Sequence, residues 1–236
     1  MAATSHSSGA ESQAGTASVR ASDKQRILLL FAHPSQHRSE VNRPLFEAAC
    51  QCPYVTAVDL YAEYPNFDID IEKEQQRLRD HDVIIFQFPF YWYSTPAILK
   101  EWQDLVLEYG FAYGHEGTAL RGKTFLCALS AGGKEQAYRA QGYNHFTVRE
   151  LLQPLEQTAS LTGMQYLPPF ALFASRSARE EQRLDSHLKN WRALLQRLHQ
   201  GTIDPQTVTS LTTINDLDFG GDADSSVLNP MMPEKE

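Results

Sequence analysis

Three clusters of residues in this chain carry more chemistry than a core requires. The first, His33-Pro34-Ser35-Gln36-His37-Arg38-Ser39 with Asn42 behind it, gathers imidazoles, hydroxyls, a guanidinium and an amide at the mouth of an expected helix. Main-chain N–H groups at a helix start, with the partial positive charge there, form a ready anion site, and Ser39 and Arg38 add donors to it. Taken alone, Ser39 reads equally as a plain N-cap and His33 as a turn residue. The second cluster, Phe88-Pro89-Phe90-Tyr91-Trp92-Tyr93-Ser94-Thr95-Pro96, sets four consecutive aromatics between two prolines. Such a rigid wall suits a flat ring system, although packing under the next helix would account for one or two of the rings. In the third, Ser130-Ala131-Gly132-Gly133, the glycines let the backbone approach a ligand closely and aim N–H groups at an electron-rich edge.

Other chemistries are excluded by what these loops lack. The first contains no glycine, so neither G-x-G-x-x-G nor G-x-x-x-x-G-K-[ST] is present. A phospho-receiver needs carboxylates that His33-Pro34 and Phe88-Pro89 do not supply, and the G-x-S-x-G nucleophile elbow is absent. Cys50, Cys52 and Cys127 fall in no CxxC or Cys/His ligand spacing, so no metal is expected and a reducing, cytoplasmic location fits.

The elements that must position these clusters alternate along the chain. Ile27 to Ala32 is a continuous apolar run ending in turn chemistry, as a strand buried on both faces does. Ser39 to Ala49 is helical, Val55 to Leu60 a weaker strand, Ile71 to His81 helical, and Val83 to Phe88 a strand. Pro96 to Tyr109 is a helix, Thr124 to Ser130 a strand, and Phe146 to Thr162 a helix stopping at Gly163. Tyr166 to Ala174, broken by Pro168-Pro169, is the last strand, and Arg179 to His199 a long amphipathic helix. Five strands alternating with five helices predict an α/β, doubly wound five-stranded parallel sheet with helices on both faces, because parallel neighbours need crossover helices. Ligands then bind beyond the carboxyl ends of the strands, at 33–40, 88–96 and 130–145.

Composition sets the limits of this body. With 236 residues, 42% hydrophobic and 21% charged, the chain holds one globular domain with loose ends. Residues 1–25 balance to zero charge, and sixteen of the first 22 are Ala, Ser, Thr or Gly, so they read as a solvated arm, without the basic start and apolar stretch of a secretion signal. From Gly201 onward seven acids face one lysine, leaving −6 of the total −8 in an acidic, flexible tail over 201–236. The domain itself, 26–200, carries only −2, which lacks the footprint of a nucleic-acid binder. No apolar run approaches the ~18 residues of a membrane span.

A phosphate pocket, an aromatic wall and amide donors, in that order on such a sheet, describe a flavin mononucleotide site. At these residues the chain resembles the flavodoxin-like NAD(P)H:quinone reductases, and most closely the ancillary flavoproteins of glutathione-gated Kef potassium-efflux systems. The pieces that carry the resemblance, between Ile27 and His199, are Ala32-His33-Pro34, Ser39 with Asn42, Tyr64-Pro65-x-Phe67-x-Ile69-Asp70, Pro89-x-x-Trp92-Tyr93-Ser94-x-Pro96, Phe111-Ala112-Tyr113-Gly114, Gly117-x-Ala119-Leu120-x-Gly122-Lys123 and Leu167-Pro168-Pro169-Phe170.

The resemblance implies a homodimer binding FMN, with FAD the less favoured flavin, and a ping-pong, two-electron hydride transfer from NAD(P)H to a quinone. It places His33, Ser39 and Asn42 at the phosphate, Phe90, Tyr91, Trp92 and Tyr93 beside the isoalloxazine, and Ser130, Ala131, Gly132 and Gly133 at its pyrimidine edge. Tyr138 matches a catalytic tyrosine. The expected histidine place after Gln141-Gly142 holds Asn144, with His145 one later as the candidate proton donor. Phe111, Tyr113 and His115 are candidates for a substrate roof or a dimer contact. A second role implied is that of a regulatory subunit at the cytoplasmic face of a potassium-efflux antiporter in the inner membrane. A third is a flavodoxin-like electron carrier.

Overall fold

The computed structural model describes residues 24–217 and Phe219; the expected arm lies, but for its last two residues, outside the described residues. The apolar runs form the sheet. Strands β1 (Ile27–Phe31), β2 (Val55–Asp59), β3 (Val83–Pro89), β4 (Thr124–Ser130), β5 (Gln165–Tyr166) and β6 (Phe170–Leu172) pair in parallel in the order β2-β1-β3-β4-β5, with β6 also on β4. β1, β3 and β6 are buried throughout. Leu167, Pro168 and Pro169 separate β5 from β6, since proline cannot donate to the ladder, and the two together are the expected fifth strand.

Helices coat both faces. Leu28, Leu30, Ile84 and Phe86 point to one layer, with Leu78 of α3 (Ile71–Asp80) and Trp102 of α4 (Ala97–Val106); α2 is the short helix Leu60–Glu63. Ile27, Leu29, Phe31 and Ile85 point to the other, with Leu45 of α1 (Asn42–Cys50) and Trp191 of α7 (Arg183–His199). The helix expected over 146–162 is two, α5 (Val148–Leu151) and α6 (Gln153–Thr162), divided at Leu152 just before Pro154. Among the described residues no helix is long and apolar enough to cross a membrane.

The Tyr64-Pro65-x-Phe67-x-Ile69-Asp70 motif positions α3. Asp70 caps the helix by accepting from Lys73 N–H at 3.0 Å. Tyr64 Oη donates at 2.6 Å to Glu74 Oε1, a carboxylate with no solvent exposure that also receives Trp102 Nε1 at 3.0 Å and the Arg77 guanidinium. Three donors satisfy a charge that would otherwise be costly to bury.

Of the tail expected over 201–236, the part that the structure describes is docked, and residues 218 and 220–236 lie outside the described residues. Residues 202–217, read from sequence as part of a loose tail, pack on the body: α8 (Pro205–Val208) buries Val208, and a single turn over Ile214–Asp216 buries Ile214. Arg149 on α5 donates to the Thr209 and Leu211 carbonyls.

Candidate functional site

β1 lies between β2 and β3, so strand order reverses there and leaves a crevice at the carboxyl ends. A cleft of about 590 Å³ occupies it, and the three expected loops reach it.

In the first loop His33 is buried, and its Nδ1 accepts from Ser35 N–H at 3.1 Å. Burial depresses its pKa, against the opposing pull of Asp59. Helix α1 starts at Asn42 rather than Ser39, but Ser39 Oγ still covers its open end, accepting from the N–H groups of Asn42 at 3.0 Å and Arg43 at 3.3 Å. Its hydroxyl hydrogen stays available to a ligand. Asn42 is buried, and its Nδ2 donates to Ser130 Oγ at 2.7 Å, tying the first loop to the third. Beneath them Gln87, fully buried in β3, donates from Nε2 to the Asn42 carbonyl at 2.6 Å, while its Oε1 has no partner among the described residues.

The second loop divides the expected wall. Phe90, Tyr91 and Trp92 line the cleft with Pro89, whereas Tyr93 lines a separate groove between α4 and α6. The cause is a tight turn: Ser94 N–H donates to the Tyr91 carbonyl at 3.1 Å, and both central residues, Trp92 (φ 49°) and Tyr93 (φ 61°), are left-handed. Side chains larger than asparagine seldom adopt that geometry, and its strain marks a constrained loop. Tyr93 Oη donates to Asn144 Oδ1 at 3.0 Å.

In the third loop the Ala131 N–H is already bonded to the Leu172 carbonyl at 2.9 Å, so it is no ligand donor. The N–H groups of Gly132 and Gly133 make no hydrogen bond among the described residues. A Cβ on Gly132 would meet only open space, while one on Gly133 would come within 3.2 Å of the Tyr138 ring. Tyr138 packs with its centroid 6.4 Å from Phe90 and 5.3 Å from Phe173, and burial raises its pKa, with Tyr93 adding to the effect.

Eight expected residues do not line the cleft: Tyr93, Ala131, Gly133 and Tyr138, placed above, and His145, Phe111, Tyr113 and His115. His145 is exposed on left-handed backbone (φ 61°), and it is the neighbouring Asn144 that contacts Tyr93. Phe111 is core, with the Arg79 guanidinium 4.8 Å from its ring centre, and Tyr113 lines the α4–α6 groove. His115 is exposed and lines neither cavity.

A fourth loop, after β6, joins the site and went unread in the sequence. Ser175 and Arg176 line the cleft together with Arg38 and Ser39. Two guanidiniums against the single Glu40 carboxylate leave its lining net cationic. The loop is held by Arg183, which donates to the carbonyls of Phe173 and Ala174, both at 2.9 Å. The rule that ligands sit beyond strand ends pointed here too; only the polar, irregular sequence of 173–178 hid it.

A net cationic lining, aromatic rings and the unspent Gly132 amide beside open space fit a planar heterocycle with an anionic arm. Comparison with known proteins agrees. Residues 25–195 match a protein family described as having a flavodoxin-like fold. The chain is 48% identical over 155 residues, 66% of its length and 84% of the relative's, to the glutathione-regulated potassium-efflux system ancillary protein KefG of Cronobacter sakazakii. It superposes with a TM-score of 0.69 and 38% identity on general stress protein 14 of Treponema denticola, solved in complex with FMN, covering 73% of this chain and 99% of that one. An NADPH-quinone reductase from P. pentosaceus gives 0.63 and 34%, covering 72% and 96%.

Proposed function

The chain belongs to the flavodoxin-like fold family, and from that premise we propose that it is an FMN-dependent NAD(P)H:quinone oxidoreductase. The observation that carries the reading is the unspent Gly132 amide in a cleft lined by Phe90, Tyr91 and Trp92 and by the Arg38 and Arg176 guanidiniums, with the equally unspent Gly133 amide next in the chain. Relatives support it: one was solved with FMN and another is described as an NADPH-quinone reductase.

Arg38, Arg176, Ser39 and the start of α1 would hold the phosphate, with Asn42 fixed by Ser130 and Gln87. Tyr91 and Trp92 flank the ring, and the Gly132 and Gly133 amides stabilise negative charge at its polar edge. When bound, the flavin supplies two-electron hydride chemistry between a reduced nicotinamide and a quinone. Tyr138 stays protonated because burial raises its pKa, so it serves as a hydrogen-bond donor. One open cleft serving both substrates in turn gives ping-pong kinetics.

A second copy of the chain is the partner we assign to the exposed apolar groove of Tyr113, Leu155 and Leu161, beside the exposed Tyr109. This is the place of Tyr113 in the reading: a dimer contact.

The test is to purify the protein, record its visible spectrum, identify the released chromophore by mass, and assay NAD(P)H oxidation with menadione. A colourless protein that stays so after incubation with FMN overturns the reading. The identity to a potassium-efflux ancillary protein favours a second reading, a regulatory subunit on an antiporter. Co-purification with such an antiporter, and efflux that depends on this chain, would support it.

A further inference from the structure

The docked tail lies beyond the family match, which ends at residue 195. It nevertheless touches the sheet at one consequential place. Strand β6 is three residues long and pairs with β4 through Phe170, Ala171 and Leu172. On its other side stands the carboxamide of Asn215, whose Oδ1 accepts from Ala171 N–H at 2.8 Å and whose Nδ2 donates to the Ala171 carbonyl at 3.0 Å. The side chain does for this edge what a neighbouring strand would do. Ile214 adds a main-chain bond to the Pro169 carbonyl at 3.0 Å, and Arg149 holds the preceding carbonyl of Leu211 at 3.0 Å.

What β6 leads into is the fourth loop of the cleft. Ala174 N–H donates to the Gly133 carbonyl at 2.7 Å and Ser175 N–H to the Ala131 carbonyl at 3.0 Å, and Ser175 and Arg176 line the cleft. A strand this short, bonded on one edge alone, frays readily. Fraying would reach Ser175 and Arg176 through Phe173 and Ala174, which follow the strand directly.

We infer that Asn215 is a positioning residue for the anion end of the cleft: it holds β6 from the tail and so sets Ser175 and Arg176 for a ligand's phosphate. The inference rests on the flavin reading above. It assigns to a segment outside the family match a share in selecting a phosphorylated flavin over an unphosphorylated one.

The test uses the full chain and equilibrium dialysis with FMN and with riboflavin, for wild type, Asn215→Ala, Arg149→Gln, Arg176→Ala and the double variant Asn215→Ala/Arg176→Ala. Asn215→Ala and Arg149→Gln, which release the tail at separate anchors, should each weaken FMN binding by roughly tenfold and leave riboflavin binding nearly unchanged. Asn215→Ala should add little on top of Arg176→Ala, because both act on the same contact. An Asn215→Ala protein with wild-type affinity for FMN overturns the inference. So does an equal loss for both flavins, which would mark a general structural role. A wild-type chain that binds neither flavin is a different result, and it sinks the proposed function itself.

Discussion

The Tyr93 phenol donates to Asn144 Oδ1 at 3.0 Å, so the polar side chain that the third loop sets against the second is an asparagine, and His145 beside it faces solvent. The second and third loops are thereby clasped to each other beside the α4–α6 groove that Tyr93 lines. An amide holds and orients, but it does not titrate in the working range.

Replacing His145 with Ala should therefore leave menadione reduction within about twofold of wild type, whereas Asn144→Ala, which unclasps Tyr93, should lower kcat/KM by roughly tenfold. Steady-state assays on the two variants decide it. A collapse in the His145 variant would restore the histidine to the chemistry.

The two glycines should respond differently to valine. At Gly132 a side chain projects into open space, so Gly132→Val should lose flavin by filling the cleft while melting near the wild-type temperature. At Gly133 the first carbon already stands 3.2 Å from the Tyr138 ring, so Gly133→Val should lose flavin and also lower Tm. Visible absorbance relative to protein and a thermal melt separate the two. Full flavin retention in the Gly132 variant would remove the amide pair from the site.

Glu74 receives three donors with no solvent contact. Its replacement by Ala strands the Tyr64 hydroxyl and Trp102 indole N–H and should destabilise the protein by about 3 kcal/mol. Denaturant unfolding measures this. A loss below about 1 kcal/mol would mean that water replaces the carboxylate there.

His187 on α7 stacks on Phe170 with ring centres 4.2 Å apart, and burial, aided by the Arg183 charge, takes its pKa down to about 3. The unfolded chain binds this proton near the ordinary 6.5 and the folded one only near 3, so between those values the unfolded state holds more protons. The group's contribution is intact above pH 6.5 and lost below it, at up to about 1.4 kcal/mol per pH unit. Stability measured from pH 7 to 4.5 should thus fall less steeply for His187→Phe than for wild type. Identical slopes would show that His187 is charged or hydrated in the fold.

Much of this was legible because burial writes itself into composition. Ile27–Phe31 and Thr124–Ser130 are strands where the apolar runs placed them, and Pro168-Pro169 breaks the last strand as a missing donor must. The cleft residues His33, Ser39 and Asn42 were legible too, although the helix begins three residues late because Ser39 caps it from outside. What stayed hidden depends on contacts distant in sequence. Asn215 meets Ala171 across 44 positions, and nothing periodic around it foretells that. Gln87 looks like a blemish in an apolar run until Asn42 is seen above it. His145 and Asn144 differ by one position, and a left-handed backbone angle decided between them.

The turn that strains Trp92 into left-handed backbone also leaves its indole 92% exposed at the rim of the cleft, while the other two tryptophans, Trp102 and Trp191, are wholly enclosed. The chain therefore carries its own optical gauge. Acrylamide should quench a red-shifted emission from Trp92 and spare the blue emission of the other two, and whatever seats itself in the crevice will dim that one lamp first.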